Sequence, residues 1–415
     1  MGFLAEFDAA QGPQAQGAVL ITWLRGRWPE MFEELRAHRP VLQTPLFTLV
    51  TRAGDVLAAL SRPSTFSVRA NRLTMDPSVG PFMLARDETA INWQEKGLMQ
   101  ALLRWDDLPR VRQLAGTVAG QALAGAATGS LDIVPAIARQ VPLRVVQQIF
   151  GFTAPDADLL RWSFATQHAM FRNLPFDPAV LKRCEVAGGE MRAWLKPFLD
   201  AMRAKAPSGG EDTVNRLIDL AHDKAAGIAA DRVTSNVCGL LVGAIETMSQ
   251  AIVQIVDQFL LHPDWLAGAL AADRAGDAAG FDGHVFEALR FNPITTVVFR
   301  HAEADAVIGA PTVLEVKQGT VLAIGIGSAM FDPGLMPDPK SFNPARPVKD
   351  YLHFGLGHHE CLGKYVGEAA IPEAVRQILR LPGLRRAAGA AGQIDFAHGP
   401  FPEHLTIEWN KEARA

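Results

Sequence analysis

The chain has 415 residues, 48% hydrophobic and 20% charged, the composition of a globular protein and not of a disordered one. Its 40 basic and 44 acidic side chains leave a net charge of −4, so no cationic excess points to nucleic acid and no acidic tail appears. Near the N-terminus the longest apolar run, Gly17 to Leu24, is cut off by Arg25 and Arg27, short of the roughly 20 residues a membrane span needs. The expectation is a soluble, cytoplasmic protein that works without a membrane. Three cysteines, Cys184, Cys238 and Cys361, with no Cys-x-x-Cys, argue against a disulfide framework and a structural zinc site.

Taken in chain order, Val41 to Val50 reads as strand. Apolar residues at helical spacing predict helices over Leu108 to Leu123, Ile133 to Phe150, Arg192 to Arg203 and Asn215 to Asp223. Asp231 to Leu261 is apolar on nearly every face, as in a long helix through the middle of a core. Val297 to Leu322, broken by turn residues, supplies several further strands. From about Phe331 to Gly363 five prolines (333, 337, 339, 344 and 347) forbid a long helix. A structureless run of that length inside a compact protein is usually functional. A last helix resumes at about Leu362 and ends near Pro382–Gly383, with Pro372 inside it. The architecture is mainly α, with β-rich portions at about 40–60, 297–325 and 385–410.

Cys361 lies in Phe354-Gly-Leu-Gly-His-His-Glu-Cys-Leu-Gly363, directly before that last helix. Glycines permit a tight turn, and the positive end of a helix favours thiolate over thiol. Taken alone, a cysteine in such a turn is more often simply buried. Zinc held by His358, His359 and Cys361 is a poorer reading, because ligands so close in sequence do not all converge on one ion. The full pattern Phe-x-x-Gly-x-x-x-Cys-x-Gly, however, resembles the haem-binding loop of the cytochrome P-450 superfamily, in its soluble bacterial form. The resemblance implies a single P-450 domain over residues 1–415, a helix-rich triangular prism with haem b between the long central helix and the cysteine loop. Cys361 would be the axial ligand of the iron, with Phe354, Gly357 and Gly363 shaping the loop around it.

Other segments carry the same resemblance. Glu287-x-x-Arg290 puts two charges on one helix face, and in the family this pair forms a network with an arginine before the haem loop, here Arg346. Gly243-Ala-Ile-Glu-Thr247 places a carboxylate beside a hydroxyl midway along the apolar helix. In isolation such a Thr back-bonds to a carbonyl and such a Glu pairs elsewhere. The match to the family's acid–alcohol pair makes Glu246 and Thr247 the catalytic residues that deliver protons. Arg300 and His359 correspond to partners of the haem propionates. Asn92 and Lys96 fall where the family has a further His and Arg, with Arg112 or Trp93 as alternatives. Gly367-Glu368-Ala369-Ala370 and Pro372 depart from the family pattern.

The implied function is a haem-thiolate monooxygenase that puts one atom of dioxygen into an apolar small molecule, by hydroxylation, dealkylation or epoxidation. Its pocket would draw on Phe82, Met83, Met170, Phe171, Val242, Gly243, Thr295 to Val298 (Thr296 and Val297 foremost) and Phe401. No flavin or nicotinamide motif is seen, so electrons are expected from a ferredoxin and its NAD(P)H-dependent reductase. A peroxide-driven peroxygenase is the alternative enzyme, and a haem protein without oxidation chemistry the alternative of another class. The acid–alcohol pair speaks against both.

Overall fold

Alanine- and leucine-rich segments at helical spacing become helices, and strands are confined to short β-branched stretches. The computed structural model describes all residues except 88, 127, 174–176, 206, 208, 224–227, 310–312, 397–398 and 411–415. The chain divides into two units, one of residues 1–70, 84–89 and 293–361, the other of 71–83, 90–292 and 362–415.

The first unit carries a five-stranded sheet in the spatial order Val41–Gln43, Thr48–Val50, Val321–Ile324, Val298–Ala302, Phe66–Ser67. Thr48–Val50 runs parallel to Val321–Ile324, and the other pairings are antiparallel. Leu42, Leu49 and Ala323 bury their side chains against Phe3, Phe7, Leu20, Trp23, Met31 and Phe32 from the N-terminal helices. The strand expected over 41–50 is a hairpin, turned where the Thr44 hydroxyl donates to the Phe47 carbonyl at 2.6 Å.

The β-rich portion does not reach residue 60, because Ala53–Leu60 is an α-helix. Its Ala- and Leu-rich sequence favours helix, and the Asp332 carboxylate accepts the first N–H, from Ala53, at 2.8 Å. Between 297 and 325 the strands are Val298–Ala302, Ala306–Ile308, Leu314–Val316 and Val321–Ile324, with 310–312 outside the described residues. The proline-rich segment holds only short turns of helix, Val348–Asp350 and Gly357–His359. Arg346 braces it by donating to the carbonyls of Pro337 (2.6 Å), Asp338 (2.8 Å) and Ser341 (3.3 Å).

The second unit is built on the central helix Ala230–Leu261. Asp156–Gln167, Gln140–Val145, Ala278–Phe291 and Lys364–Leu379 all pack against it. That helix is long and apolar enough to cross a membrane, but most of it is buried inside the unit. The helix expected over 133–150 is interrupted by π turns at Val134–Ala138 and Val146–Phe150 and ends at Gly151 in the left-handed region (φ 85°). Further π turns occupy Ile91–Glu95 and His168–Arg172. Arg192 to Arg203 is the end of a longer helix, Pro178–Arg203, whose Gly188 lies on the Ser78 backbone, where a Cβ would come within 2.4 Å of a carbonyl oxygen. Of the β-rich portion near the C-terminus only Arg385–Arg386 and Thr406–Glu408 are strand, joined with Ser130–Asp132, and 397–398 lie outside the described residues.

The final helix starts at Lys364 and runs through Pro372 to Leu379. Proline has no N–H for the carbonyl four residues back, that of Glu368. Arg112 donates to this carbonyl at 3.4 Å while its guanidinium also sits 2.5 Å from the Asp282 carboxylate. The proline is thereby accommodated. Arg112, one alternative for a propionate partner, contacts Asp282 and the Glu368 carbonyl.

Glu287 and Arg290 form a two-pronged ion pair, 2.9 and 2.7 Å, with neither side chain exposed to solvent. Losing one partner strands a charge in the core, so Arg290→Met should cost about 3–5 kcal/mol in urea unfolding. The double variant Glu287→Leu/Arg290→Met should recover much of that loss.

Candidate active site

In the first unit the loop before the final helix is shaped by Gly355 and Gly357, at φ 74° and 72°, a region that penalises side chains. The Cys361 N–H donates back to the Phe354 carbonyl at 2.8 Å, closing the loop, and the Cys361 residue is exposed. Gly363 is the N-cap of the helix that follows. Two residues before the cysteine, His359 Nε2 lies 2.7 Å from the Asp87 carboxylate, which also accepts the Val68 N–H at 3.1 Å. Arg300 is buried and donates to the Phe299 carbonyl at 2.8 Å. Burial pulls its pKa down to about 10, against the opposing charge of Asp87.

These residues suit haem. An imidazole and a guanidinium converge on one carboxylate, the functional group of a haem propionate, and an exposed sulfur sits on a glycine-shaped loop at a helix start. The zinc reading finds no support: among the described residues no group of three or more His, Cys, Asp or Glu could hold a metal ion.

In the second unit the central helix is buried around Thr247 except along one strip, where Gly243 is exposed and Thr247 half-buried. A Cβ at Gly243 would meet nothing within 4 Å among the described residues. The Thr247 hydroxyl donates to the Gly243 carbonyl at 2.6 Å, and the Thr247 N–H donates to Gln167 Oε1 at 3.1 Å. Next to it Glu246 is buried, 3.3 Å from Arg139 Nε. The same guanidinium reaches Glu403 at 3.0 and 3.1 Å. Burial pushes the Glu246 carboxyl up to about 7, with Arg139 opposing the shift. For Arg139 burial works downward, but Glu403 and Glu246 outweigh it and raise its pKa.

The remaining sequence candidates are placed as follows. Phe82 is buried with the tip of its ring against Gly239, where a Cβ would come within 2.2 Å of it. Met83 and Val242 are buried as well, and Phe401 is buried with its ring edge-on to Phe164. Met170 is half-buried and Phe171 exposed, both in the π turn. Thr296 accepts the Gly327 N–H through its carbonyl, and Val297 packs on the core of the first unit. Asn92 is buried and donates its amide to the Met83 carbonyl at 3.2 Å, while Lys96 opens the short helix Lys96–Leu102. Trp93 is exposed.

Sequence reasoning missed Asp87, Arg139, Gln167 and Glu403, which lie far along the chain from the groups they touch. The one available signal was a buried Glu that needs a cation.

Two outcomes follow from this geometry. The carboxyl of Glu246 ionises near 4.5 in the unfolded chain and near 7 in the folded one, so folded protein binds the extra proton between those values. Its contribution to stability is present below about 4.5 and is lost as pH rises towards 7. Glu246→Gln removes that dependence, and its unfolding free energy relative to the parent should rise across this window and level off above it. Gly239→Ala forces Phe82 off the helix and should cost about 1–3 kcal/mol, read from the thermal midpoint.

A family model described as "Cytochrome P450" matches residues 282–381. The cytochrome P450 monooxygenase PikC of Streptomyces venezuelae is 27% identical over 74% of this chain and 70% of its own length. The mycinamicin IV hydroxylase/epoxidase of Micromonospora griseorubida is 28% identical over 87% of this chain and 89% of its own. The crystal structure of CalO2 superposes with a TM-score of 0.79 at 24% identity, covering 94% of this chain and 97% of that one. Bacterial P450s of this kind are soluble and typically take electrons from separate redox partners. The mainly helical P450 fold, the family model over residues 282–381 and relatives of a haem-binding family all point one way: the chain is similar to the bacterial cytochrome P450 monooxygenases.

Proposed function

We propose that Cys361 is the axial thiolate of haem b, that Arg300 and His359 with Asn92 and Lys96 hold its propionates, and that residues 1–415 work as one P450 domain. When bound, haem supplies the activation of dioxygen, and a thiolate ligand favours O–O cleavage. The chain's own residues manage protons and water. Glu246, with a pKa of about 7, both holds and releases a proton readily at neutral pH, as a general acid should. Arg139 fixes its orientation from one side. Thr247 stands one residue on, its hydroxyl proton committed to the Gly243 carbonyl and its lone pairs available as acceptors. The observation that carries this reading is the pairing of that buried carboxyl with a hydroxyl on the one open strip of the helix around it.

The substrate is an apolar small molecule, since Phe82, Met83 and Val242 are apolar and buried on or beside the same helix. Gly243 leaves room for it, and Thr296, Val297 and Phe401 complete the candidate walls. Electrons come from a ferredoxin and an NAD(P)H-dependent reductase, in the cytoplasm.

Two measurements test the reading. Ferrous protein under carbon monoxide should show the red-shifted Soret band of a thiolate-ligated haem, and Cys361→His should replace it with an imidazole-type spectrum. Thr247→Ala should raise the hydrogen peroxide released per dioxygen consumed; an unchanged ratio would remove the assigned proton route.

A further inference from the structure

We infer that Gln167 is a positioning residue of the oxygen-activating strip, holding the Thr247 turn so that its hydroxyl faces the open side as an acceptor. The inference rests on the acid–alcohol reading and extends it to a neighbouring helix. In an undisturbed helix the Thr247 N–H is directed at the Gly243 carbonyl. Here, within a continuous helix, the same N–H also reaches Gln167 Oε1 at 3.1 Å, and the Gly243 carbonyl receives the Thr247 hydroxyl at 2.6 Å. A threonine hydroxyl has one proton and two lone pairs. With the proton given to the carbonyl, the lone pairs are left to accept from a water or an acid on the strip.

Gln167 is built to do this. It is wholly buried, and its amide group donates to the Ser163 hydroxyl at 2.7 Å, which turns its oxygen towards Thr247. Ser163 is itself wholly buried one turn earlier on the same helix. Directly after Gln167 the helix widens into the π turn His168–Arg172, a form concentrated at functional sites. From the end of that turn Arg172 donates to Gln250 at 2.7 Å, one turn beyond Thr247 on the central helix. Two polar contacts therefore hold this helix in register on the Thr247 turn, where apolar packing alone would let it slide.

The test uses holoenzyme with a surrogate ferredoxin and reductase and dioxygen, with no added substrate. Gln167→Met keeps the length of the side chain but has no oxygen to accept the Thr247 N–H, and Gln167→Glu keeps the acceptor. Gln167→Met should leave the carbon monoxide Soret band intact yet raise the ratio of peroxide (two-electron reduction) to water (four-electron reduction) formed from dioxygen by about two- to tenfold, the factor one ordinary hydrogen bond is worth. Gln167→Glu should return the ratio towards that of the parent. A peroxide ratio in Gln167→Met equal to the parent's, beside a raised ratio in Thr247→Ala, overturns the role of Gln167 alone. Equal loss in Gln167→Met and Gln167→Glu marks a packing residue and also overturns it. An unchanged ratio in Thr247→Ala sinks the acid–alcohol reading and this inference together.

Discussion

The guanidinium of Arg139, between Glu246 and Glu403, is what allows a carboxyl group to sit inside an apolar helix. Burying a lone carboxylate is so costly that it would take up a proton or unfold its surroundings. A full, undivided ion pair would fix the opposite state and keep the group ionised. Sharing one cation between two acids gives an intermediate result, with Glu246 poised near neutrality. The central helix, the C-terminal segment that carries Glu403 and the turn at Arg139, between Val134–Ala138 and Gln140–Val145, all meet at this contact.

A different balance governs Glu287 and Arg290. Both are wholly buried and bound to each other by two hydrogen bonds, so the pair gains little over an apolar core but punishes the loss of either member. Such a pair specifies one arrangement of a helix more than it stabilises it. Arg346 has a comparable task in the proline-rich segment, where carbonyls that no helix or sheet can satisfy converge on its guanidinium.

Much of this was readable from the chain alone. The loop from Phe354 to Gly363, the long apolar helix and the acid–alcohol dipeptide announce themselves because each is local, its residues adjacent or one helical turn apart. Helix ends fell within a few residues, as at Lys364 where Leu362 was expected. The β-rich reading of 40–60 takes in Ala53–Leu60, whose alanines and leucines favour the helix they form. The π turns left no periodic mark, since one extra residue in a turn barely alters a pattern of apolar positions. Asp87, Arg139, Gln167 and Glu403 were invisible for another reason. Each acts on a residue between about eighty and three hundred positions away, and no spacing rule reaches that far.

Gly243 lies in regular helix, so replacing it asks nothing unusual of the backbone, and space lies beyond its α-carbon. A graded set of side chains at this position would trim the room over the strip one methyl at a time. On the function proposed for this chain, Gly243 is a point at which the size and regiochemistry of accepted molecules can be tuned without repacking the core, a natural starting place for evolving or engineering new selectivity.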